Sequence, residues 1–512
     1  MAGIFRNVFT VGAFTALSRV LGLGREMLQS RLIGAGVEQS AFTLAFALPN
    51  MMRKLFGEGA LTAAFVPVFK AEVACEGVEK AARLARAVMT SVFLALAAIL
   101  ALAFGALGLW VRIAELGPRG EIAATLIATL LPYMLFICGA AFGMGVLNAL
   151  GRFKASSFMP ALLNILWIAA LAMLLFFPSL TPRERVEAVA WAILAAGAVQ
   201  MAFMFVCMAR AGVVPRMQWR FWQCEKVRLV WRNLAVAALG SGAIQVNYAL
   251  DQVLAQVASP WAAGVIGYAE RLMDLPLGVV GVAFGTVLLP AFAGHFATGD
   301  CDGARTALRS AVTSLMFFML PAAAGLCVLA SETTAVVYEG GGFDATATLR
   351  VSRSLAVYAM GLGFFGLQKT LVPWFHAQND MKTPLRVSVS TVVLNAVLNI
   401  LAVAFLPVEW RHVGLAVSTV VCAGVGCALL FSAARRRNGR LGLAAAVKPL
   451  AAIGVSALAM AALLFALRPL TAAWPRPLAL AALIAAGAAA YGLSVCALLR
   501  GEVRRLAGRV ML

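Results

Sequence analysis

Long apolar runs constrain this chain more than any other feature of its sequence. Fourteen stretches of about 20 to 30 residues contain few charges, as in AVMTSVFLALAAILALAFGALGLWV at residues 87–111. An apolar helix needs about 20 residues to cross the hydrocarbon core, whereas a barrel strand needs about 10 residues of alternating character. Hydrophobic residues make up 62% of the chain and charged residues 12%. We therefore predict an all-α polytopic membrane protein without a soluble domain.

The fourteen runs are the predicted transmembrane helices. They cover residues 8–32, 41–69, 87–111, 122–148, 157–178, 187–209, 233–256, 262–292, 310–330, 354–375, 385–406, 413–432, 448–467 and 477–499. The connecting segments on one side carry about 26 lysines and arginines, against 9 on the other. Because cytoplasmic loops are enriched in Lys and Arg, both termini are predicted to be cytoplasmic. The same asymmetry explains the net charge of +20 without a nucleic-acid partner.

The two halves of the chain repeat each other at an offset of about 223 residues. FVPVF at 65–69 matches LLPAF at 288–292, and RAVMTSVF at 86–93 matches RSAVTSLM at 309–316. Six spans per repeat is an even number, which predicts two six-helix lobes related by a parallel pseudo-two-fold axis, as in transporters. The predicted divisions are an N-terminal lobe (1–210), a basic cytoplasmic linker (211–232), a C-terminal lobe (233–432), and two further helices with a cytoplasmic tail (433–512).

Other classes of protein are less compatible with the sequence. The nine cysteines form no CxxC or Cys/His cluster, so no metal site is predicted. No acidic motif is present that would support a membrane enzyme such as a polyprenyl-phosphate glycosyltransferase. Arg19 interrupts the first apolar run, which is unlike a cleaved signal peptide. A non-transporting scaffold stays open at this point.

Basic residues inside the apolar runs are the main functional signal. An arginine at a helix centre costs about 2.5–3.5 kcal/mol on insertion scales, and such charges usually face a bundle interior or a water-filled cavity. Four arginines from both halves fall in the middle or outer part of the membrane: Arg19, Arg25, Arg53 and Arg271. The acids nearby are Glu26, Glu58, Glu270 and Asp274. Buried ion pairs are one explanation; the excess of cations favours a phosphate or diphosphate ligand, which guanidinium groups bind bidentately.

The first predicted helix contains SRVLGLGREMLQSRLIGAG at residues 18–36. Its three arginines recur every six residues, a spacing that turns about 240°, so they cannot share one face. Arg31 lies near the outer end, where it can extend to the interface. For the other two, either Gly22 and Gly24 break or bend the helix towards one cavity, or neighbouring helices supply partners on every side.

Further charged residues lie inside the second, seventh and tenth apolar runs. Lys54 and Glu58 are spaced as an i,i+4 pair in the second run. Lys369 lies in the tenth run, far from any acid in sequence. Asp251, in the seventh run, is the best acid for a cation site, but the sequence favours a structural ion pair for it.

Four motifs closely resemble the MurJ/MviN family, the lipid II flippases of bacterial peptidoglycan synthesis. They are SRVLGLGRE, FALPNMMRKLFGEGALTAAFVPVF, YAERLMDLPLGVVGVAFGTVLLPAF and QNDMKTP. The resemblance extends through nearly the whole chain. It implies the fold of the multidrug and oligosaccharidyl-lipid exporter superfamily, with two six-helix lobes and two additional helices.

The resemblance also implies roles for individual residues. The positions that match the family's cavity arginines, implied to hold the diphosphate of lipid II, are Arg19, Arg25, Arg53 and Arg271. Glu26, Glu58 and Lys369 match supporting charged positions, and the last two spans match the groove for the undecaprenyl tail. Ser40 is a departure, because family members can carry an Asp there. Any gating role of that acid is either absent here or falls to nearby Glu38.

The function implied is alternating-access flipping of lipid II in the bacterial inner membrane, without catalysis. No cofactor is expected; the driving force is a coupled Na⁺ or H⁺, or the membrane potential. The expected partners are lipid II, membrane lipids and the cell-wall synthesis machinery, with the chain as a monomer. An exporter of another undecaprenyl-diphosphate-linked oligosaccharide is the alternative.

Overall fold

The computed structural model describes residues 2–54 and 60–499. In this part of the chain the regular structure is helical, apart from one isolated bridge between Gly340 and Phe343. Ten helical stretches of the described residues are long and apolar enough to cross a membrane. The prediction of a multi-pass all-α protein is therefore confirmed, while the number fourteen stays a prediction.

The chain divides into two compact units. Unit 1 comprises Met1–Gln256 and Gly340–Phe343, and unit 2 comprises Val257–Glu339 and Asp344–Leu512. The helices of unit 1 are α1 (Ala2–Ile33), α2 (Val37–Met52), α3 (Ala60–Ile113), α4 (Pro118–Leu130), α5 (Tyr133–Ala149), α6 (Phe153–Leu174), α7 (Pro182–Arg210) and most of α8 (Glu225–Ala258). Helix α1 packs along α6, and α5 packs along α7. The buried aromatic side chains of Phe65, Phe69 and Phe142 lie in the core of unit 1.

Helix α3 differs from the predicted arrangement of the second and third spans. The basic segment between those spans is itself helical, and only Gly77 departs from helical geometry, with φ 82° and ψ 170°. Such a positive φ is accessible to glycine without a Cβ clash, so Gly77 permits a kink between two helical portions. Within the predicted span 41–69, α2 ends at Met52 and α3 is described from Ala60, with residues 55–59 outside the described part of the chain.

Most of helix α8 belongs to unit 1. The sequence assigns residues 233–256 to the C-terminal lobe, and that assignment stays a prediction. Val230 and Leu234 are buried in the core of unit 1. Trp231 Nε1 donates a hydrogen bond to Ser91 Oγ at 2.9 Å. Sequence order alone does not reveal these contacts, because the partners lie on a helix more than 100 residues earlier.

A glycine-rich segment at residues 340–343 packs against the end of α1. Gly342 N donates to Arg31 O at 2.7 Å. A Cβ on Gly341, which has φ +58°, would lie 2.3 Å from that carbonyl oxygen, and a Cβ on Gly34 would lie 2.3 Å from Gly342 O. This approach of two backbones therefore requires glycine on both sides.

The helices of unit 2 are α9 (Ala262–Ala297), α10 (Cys301–Val328), α11 (Ala330–Tyr338), α12 (Ala345–His376), α13 (Lys382–Phe405), α14 (Val408–Asn438), α15 (Val447–Leu467) and α16 (Arg476–Leu498). Helix α12 is central and packs against α9, α10 and α14. Side-chain oxygens of Asp300 and Asp344 cap α10 and α12 by accepting bonds from Gly303 N and Ala347 N. The hydroxyl of Tyr491 on α16 donates to Phe317 O on α10 at 2.7 Å.

Candidate substrate-binding site

Helix α1 runs without interruption through Gly22 and Gly24. A break at these glycines, one of the alternatives left open by the sequence, is absent, and Arg19 and Arg25 keep the separation that helical geometry requires. Arg19 is exposed, whereas only 8% of Arg25 is exposed. Of the two explanations left open by the sequence, partners on neighbouring elements therefore account for Arg25.

Three groups hold the Arg25 guanidinium. One terminal nitrogen forms an ion pair with Glu26, the next residue on α1. The other, Nη1, donates to Asn164 Oδ1 on α6 at 3.0 Å. The guanidinium carbon also lies 4.2 Å from the centroid of the Trp167 ring, within the range of a cation–π contact. A buried charge is tolerated when it is paired and hydrogen-bonded, and all three contacts serve that purpose.

Asn164 connects this guanidinium to the backbone of α1. Its Nδ2 donates to Ser18 O at 2.9 Å while its Oδ1 accepts from Arg25. Asn164 and Trp167 were not singled out from the sequence. The only sequence signal for this role was that Asn164 is a polar residue in the apolar run FMPALLNILW. Asn164 is uncharged and lies 139 residues from Arg25 in sequence.

Trp167 belongs to an aromatic cluster that joins α6 to α2 and α5. Its ring contacts Phe42 and Phe46 edge-on, with centroids 5.8 and 5.7 Å apart. Phe46 in turn lies 6.0 Å from the ring of Tyr133. Within the described residues, the Tyr133 hydroxyl and the Trp167 indole N–H have no hydrogen-bonding partner, although both are buried. Trp167 contacts Arg25 directly, whereas Phe46 lies between the rings of Trp167 and Tyr133.

Arg53 directly follows α2 and is half-buried. Its Nε and Nη2 donate to Asn50 Oδ1 at 3.2 and 3.0 Å. Arg25 and Arg53 thus both lie in unit 1, and each donates to the side-chain oxygen of an asparagine.

Ser40 occupies a buried polar position between α2 and α8. Gln256 Nε2 donates to Ser40 O at 2.6 Å and to Ser40 Oγ at 3.1 Å. The neutral Ser40 hydroxyl therefore serves as an acceptor at this position. Nearby, Gln29 Nε2 donates to Gln39 Oε1 at 3.0 Å, which links α1 to α2 through neutral side chains.

The remaining predicted residues are distributed over both units. Lys54 lies 5.0 Å from the centroid of the Tyr248 ring, and its expected partner Glu58 lies outside the described residues. Asp251 accepts a hydrogen bond from Asn247 Nδ2 at 3.1 Å, one turn earlier on α8. In unit 2, Arg271 on α9 and Lys369 on α12 have exposed side chains.

Comparison with known proteins identifies the family. A family model described as lipid II flippase MurJ matches residues 29–482. The chain belongs to the MurJ family. A probable lipid II flippase MurJ of Rhizobium tropici is 33% identical over 441 residues, covering 85% of this chain and 81% of that protein. A lipid II flippase MurJ of Burkholderia cenocepacia is 31% identical over 444 residues, covering 85% and 84%.

Solved structures agree with this family assignment at the level of the fold. A lipid II flippase MurJ in an inward closed conformation matches with a TM-score of 0.78 at 21% identity, covering 96% of this chain and 99% of that one. A MATE-family multidrug transporter in an inward-facing conformation gives 0.67 at 15% identity, covering 83% and 95%. The MurJ fold of this chain is thus related to that of multidrug exporters.

Proposed function

We propose that this protein flips lipid II from the cytoplasmic to the periplasmic leaflet of the bacterial inner membrane. Membership of the MurJ family carries the proposal. The buried Arg25, held by groups from two helices, supports it from the geometry. A membrane protein accepts the cost of a buried arginine chiefly where the charge has a function.

The diphosphate of lipid II is the group that these arginines would recognise. Guanidinium and phosphate form paired, charge-assisted hydrogen bonds. Arg25 directs its two terminal nitrogens at Asn164 and Glu26, so a phosphate that approaches the guanidinium competes with these two partners. We expect Glu26 to be exchanged, since a dianionic group competes better for the cation than a single carboxylate does. Asn164, which is neutral, would remain and keep the guanidinium oriented.

Other basic residues would supply further positive charge to the head group during transport. They are Arg19 on α1, Arg53 directly after α2, and Arg271 and Lys369 in unit 2. This cationic cavity is the arrangement implied by the family resemblance. Glu58 would balance the charge of Lys54 and Arg53 near the end of α2. Gly22 and Gly24 would allow α1 to bend in another state, since neither position is crowded. A Cβ on Gly22 would meet only Asn164 Nδ2, at 3.6 Å, and a Cβ on Gly24 would meet nothing within 4 Å.

Alternating access is the transport mechanism that we propose. Binding of the diphosphate would offset repulsion among the arginines and so stabilise a closed state, from which the cavity opens to the other side. A ligand shifts such an equilibrium only by its differential affinity for the two states. The membrane potential or a coupled Na⁺ or H⁺ would supply the driving force, with Asp251 as the candidate acid for a cation.

The proposed architecture is fourteen spans with parallel six-helix repeats and cytoplasmic termini. Matched positions in the two halves support the repeat. Thr90 Oγ1 donates to Arg86 O, and Thr313 Oγ1 donates to Arg309 O, in both cases at 2.9 Å. Phe69 and Phe292, which also correspond, are both fully buried. The last two helices, α15 and α16, would accommodate the undecaprenyl tail.

The decisive experiment is depletion of the protein, followed by measurement of the leaflet in which lipid II accumulates. Accumulation on the cytoplasmic side, reversed by the native chain but not by Arg25→Ala or Arg271→Ala, is the expected result. Arg112→Ala, which alters an exposed arginine at the end of α3, is the matched control and should restore flipping. Normal growth and flipping with Arg25→Ala at native membrane levels would contradict the proposed site.

The same assay in vesicles distinguishes lipid II from another undecaprenyl-diphosphate-linked oligosaccharide. Unlabelled lipid II should compete with a labelled substrate more strongly than lipid diphosphates bearing other sugars. Stronger competition by another lipid-linked oligosaccharide would favour the alternative cargo.

A further inference from the structure

A cavity of about 870 Å³ in unit 2 is not used by the proposed transport mechanism. It is lined by residues of α11, the start of α12 and the connection from α15 to α16. The distribution of Lys and Arg predicts that the connections from α11 to α12 and from α15 to α16 face the periplasm. The volume lies within the range of small-molecule sites in proteins, which is about 300–1,000 Å³.

Two ion pairs form the polar part of the cavity. Arg468 pairs with Glu332, and Arg476 Nη1 lies 2.7 Å from Glu339 Oε1. The acidic side chains are 24% and 19% exposed, whereas the arginine side chains are 40% and 66% exposed. The negative charges therefore lie deeper than the positive ones, and the cavity is complementary to a ligand whose cationic end enters first.

The carboxylate of Glu332 retains hydrogen-bonding capacity. Its Oε1 is bonded to Arg468, but among the described residues no donor lies within hydrogen-bonding distance of the buried Oε2. A buried acceptor without a donor is costly. Glu332 lines the cavity, and because the last torsion of a glutamate is broad, its carboxylate can turn towards a ligand there. A ligand that carries N–H groups would satisfy it.

Apolar side chains surround the cavity on its exposed side. Phe465, Trp474 and Leu349 are 69%, 48% and 48% exposed, and all three contribute to its lining. Aromatic residues are enriched where a membrane protein meets the head-group region. This surface suits a molecule that joins a polar head to apolar chains.

We propose that the cavity binds the head group of an outer-leaflet phospholipid that carries a primary ammonium and a phosphate, as phosphatidylethanolamine does. The ammonium lies against Glu332 and Glu339, the phosphate against Arg476, and the acyl chains extend along Phe465. A phosphatidylcholine-type head group has no N–H donor for Glu332 Oε2. An anionic head group without a cation leaves both acids without a new partner.

The test is native mass spectrometry of the purified full-length chain with equimolar phosphatidylethanolamine, phosphatidylcholine and phosphatidylglycerol of matched acyl chains. The native protein should retain phosphatidylethanolamine about tenfold over phosphatidylcholine, since hydrogen bonds to charged groups contribute about that factor. Glu332→Gln should remove most of this preference. Glu115→Gln, which alters an exposed acid on the same predicted side, should leave it unchanged.

Arg476→Gln provides an independent test if Glu332→Gln does not fold, because Arg476 is two-thirds exposed. It should weaken retention of both phosphatidylethanolamine and phosphatidylglycerol, whereas Arg119→Gln should affect neither. Equal retention of the three lipids by the native chain would overturn the proposal, as would undiminished phosphatidylethanolamine retention in Arg476→Gln. Displacement of phosphatidylethanolamine by added lipid II would also overturn it, by assigning the cavity to the transported lipid.

Discussion

Asn164 orients Arg25 by bonding at once to its guanidinium and to the backbone of α1. The two hydrogen bonds, 3.0 Å from Arg25 Nη1 to Asn164 Oδ1 and 2.9 Å from Asn164 Nδ2 to Ser18 O, connect α1 to α6. Since Asn164 is neutral, it orients the cation without cancelling its charge. A phosphate that approaches Arg25 therefore meets a guanidinium that is already oriented by Asn164 of α6.

Asn164→Leu should reduce lipid II translocation about tenfold. The substitution keeps the size of the side chain but removes a hydrogen bond to a charged group, which contributes about 1.5–3 kcal/mol. The measurement is flipping of labelled lipid II in proteoliposomes at matched protein content. Asn395→Leu, in which a buried asparagine of unit 2 is replaced, is the matched control and should flip at the native rate. A native rate for Asn164→Leu would show that Arg25 needs no orienting partner.

Glu26→Gln should separate binding of the head group from its transport. If the diphosphate displaces Glu26 from Arg25, removal of the carboxylate charge eliminates the competitor. We expect affinity for a soluble diphosphate-sugar head group to rise about tenfold and the flipping rate to fall, because release from Arg25 becomes slower. Binding is measured by calorimetry and flipping in proteoliposomes. Weaker binding in Glu26→Gln would contradict the exchange.

Gly341→Ala should destabilise unit 1 by at least about 2 kcal/mol. Its φ of +58° disfavours a Cβ, and that Cβ would lie 2.3 Å from Arg31 O. The thermal unfolding midpoint in detergent should therefore fall by several degrees. The control is Gly108→Ala on α3, where a Cβ meets nothing within 4 Å and the midpoint should not fall. Equal midpoints for the two variants would mean that residues 340–343 do not hold this close contact with α1.

The connection from α12 to α13 should show an acid-dependent loss of stability. Burial alone would raise the pKa of Asp380, but hydrogen bonds from Thr383, the nearby Arg437 and the Lys382 backbone together hold this pKa below 3.8. The ionised form is thus stabilised by folding, a contribution present at neutral pH that disappears as pH falls through the folded-state pKa. Asp380→Asn should unfold at a lower temperature than the native chain at pH 7. The difference should shrink below about pH 4.

For comparison, Asp302→Asn alters an exposed acid that pairs with Arg305 three residues away. Because surface pairs contribute little, this variant should unfold close to the native temperature at every pH. If the unfolding temperature of Asp380→Asn stayed below that of the native chain by the same amount down to pH 3, the carboxylate charge would not be what stabilises the connection.

Apolar runs predict a polytopic helical protein because the membrane imposes this pattern locally: each span must be long, apolar and internally hydrogen-bonded. For Arg19 and Arg25 the sequence predicts different directions on an unbroken helix, but it left open a bend at Gly22 and Gly24 that would bring both towards one cavity. In the structure Arg19 is exposed and Arg25 is buried. The sequence also indicates the family, because each family motif is a contiguous stretch of residues.

Only the tertiary structure identifies the partners of these charges. Asn164 and Trp167 meet Arg25 from another helix, and Gln256 reaches Ser40 across 216 residues of sequence. A neutral asparagine or tryptophan in an apolar run has no local feature that distinguishes a partner of a buried cation from an ordinary packing residue. Sequence thus determined which charges enter the membrane, because that cost is local to each helix. Packing decided which groups stabilise them, because a hydrogen bond depends on distances between helices.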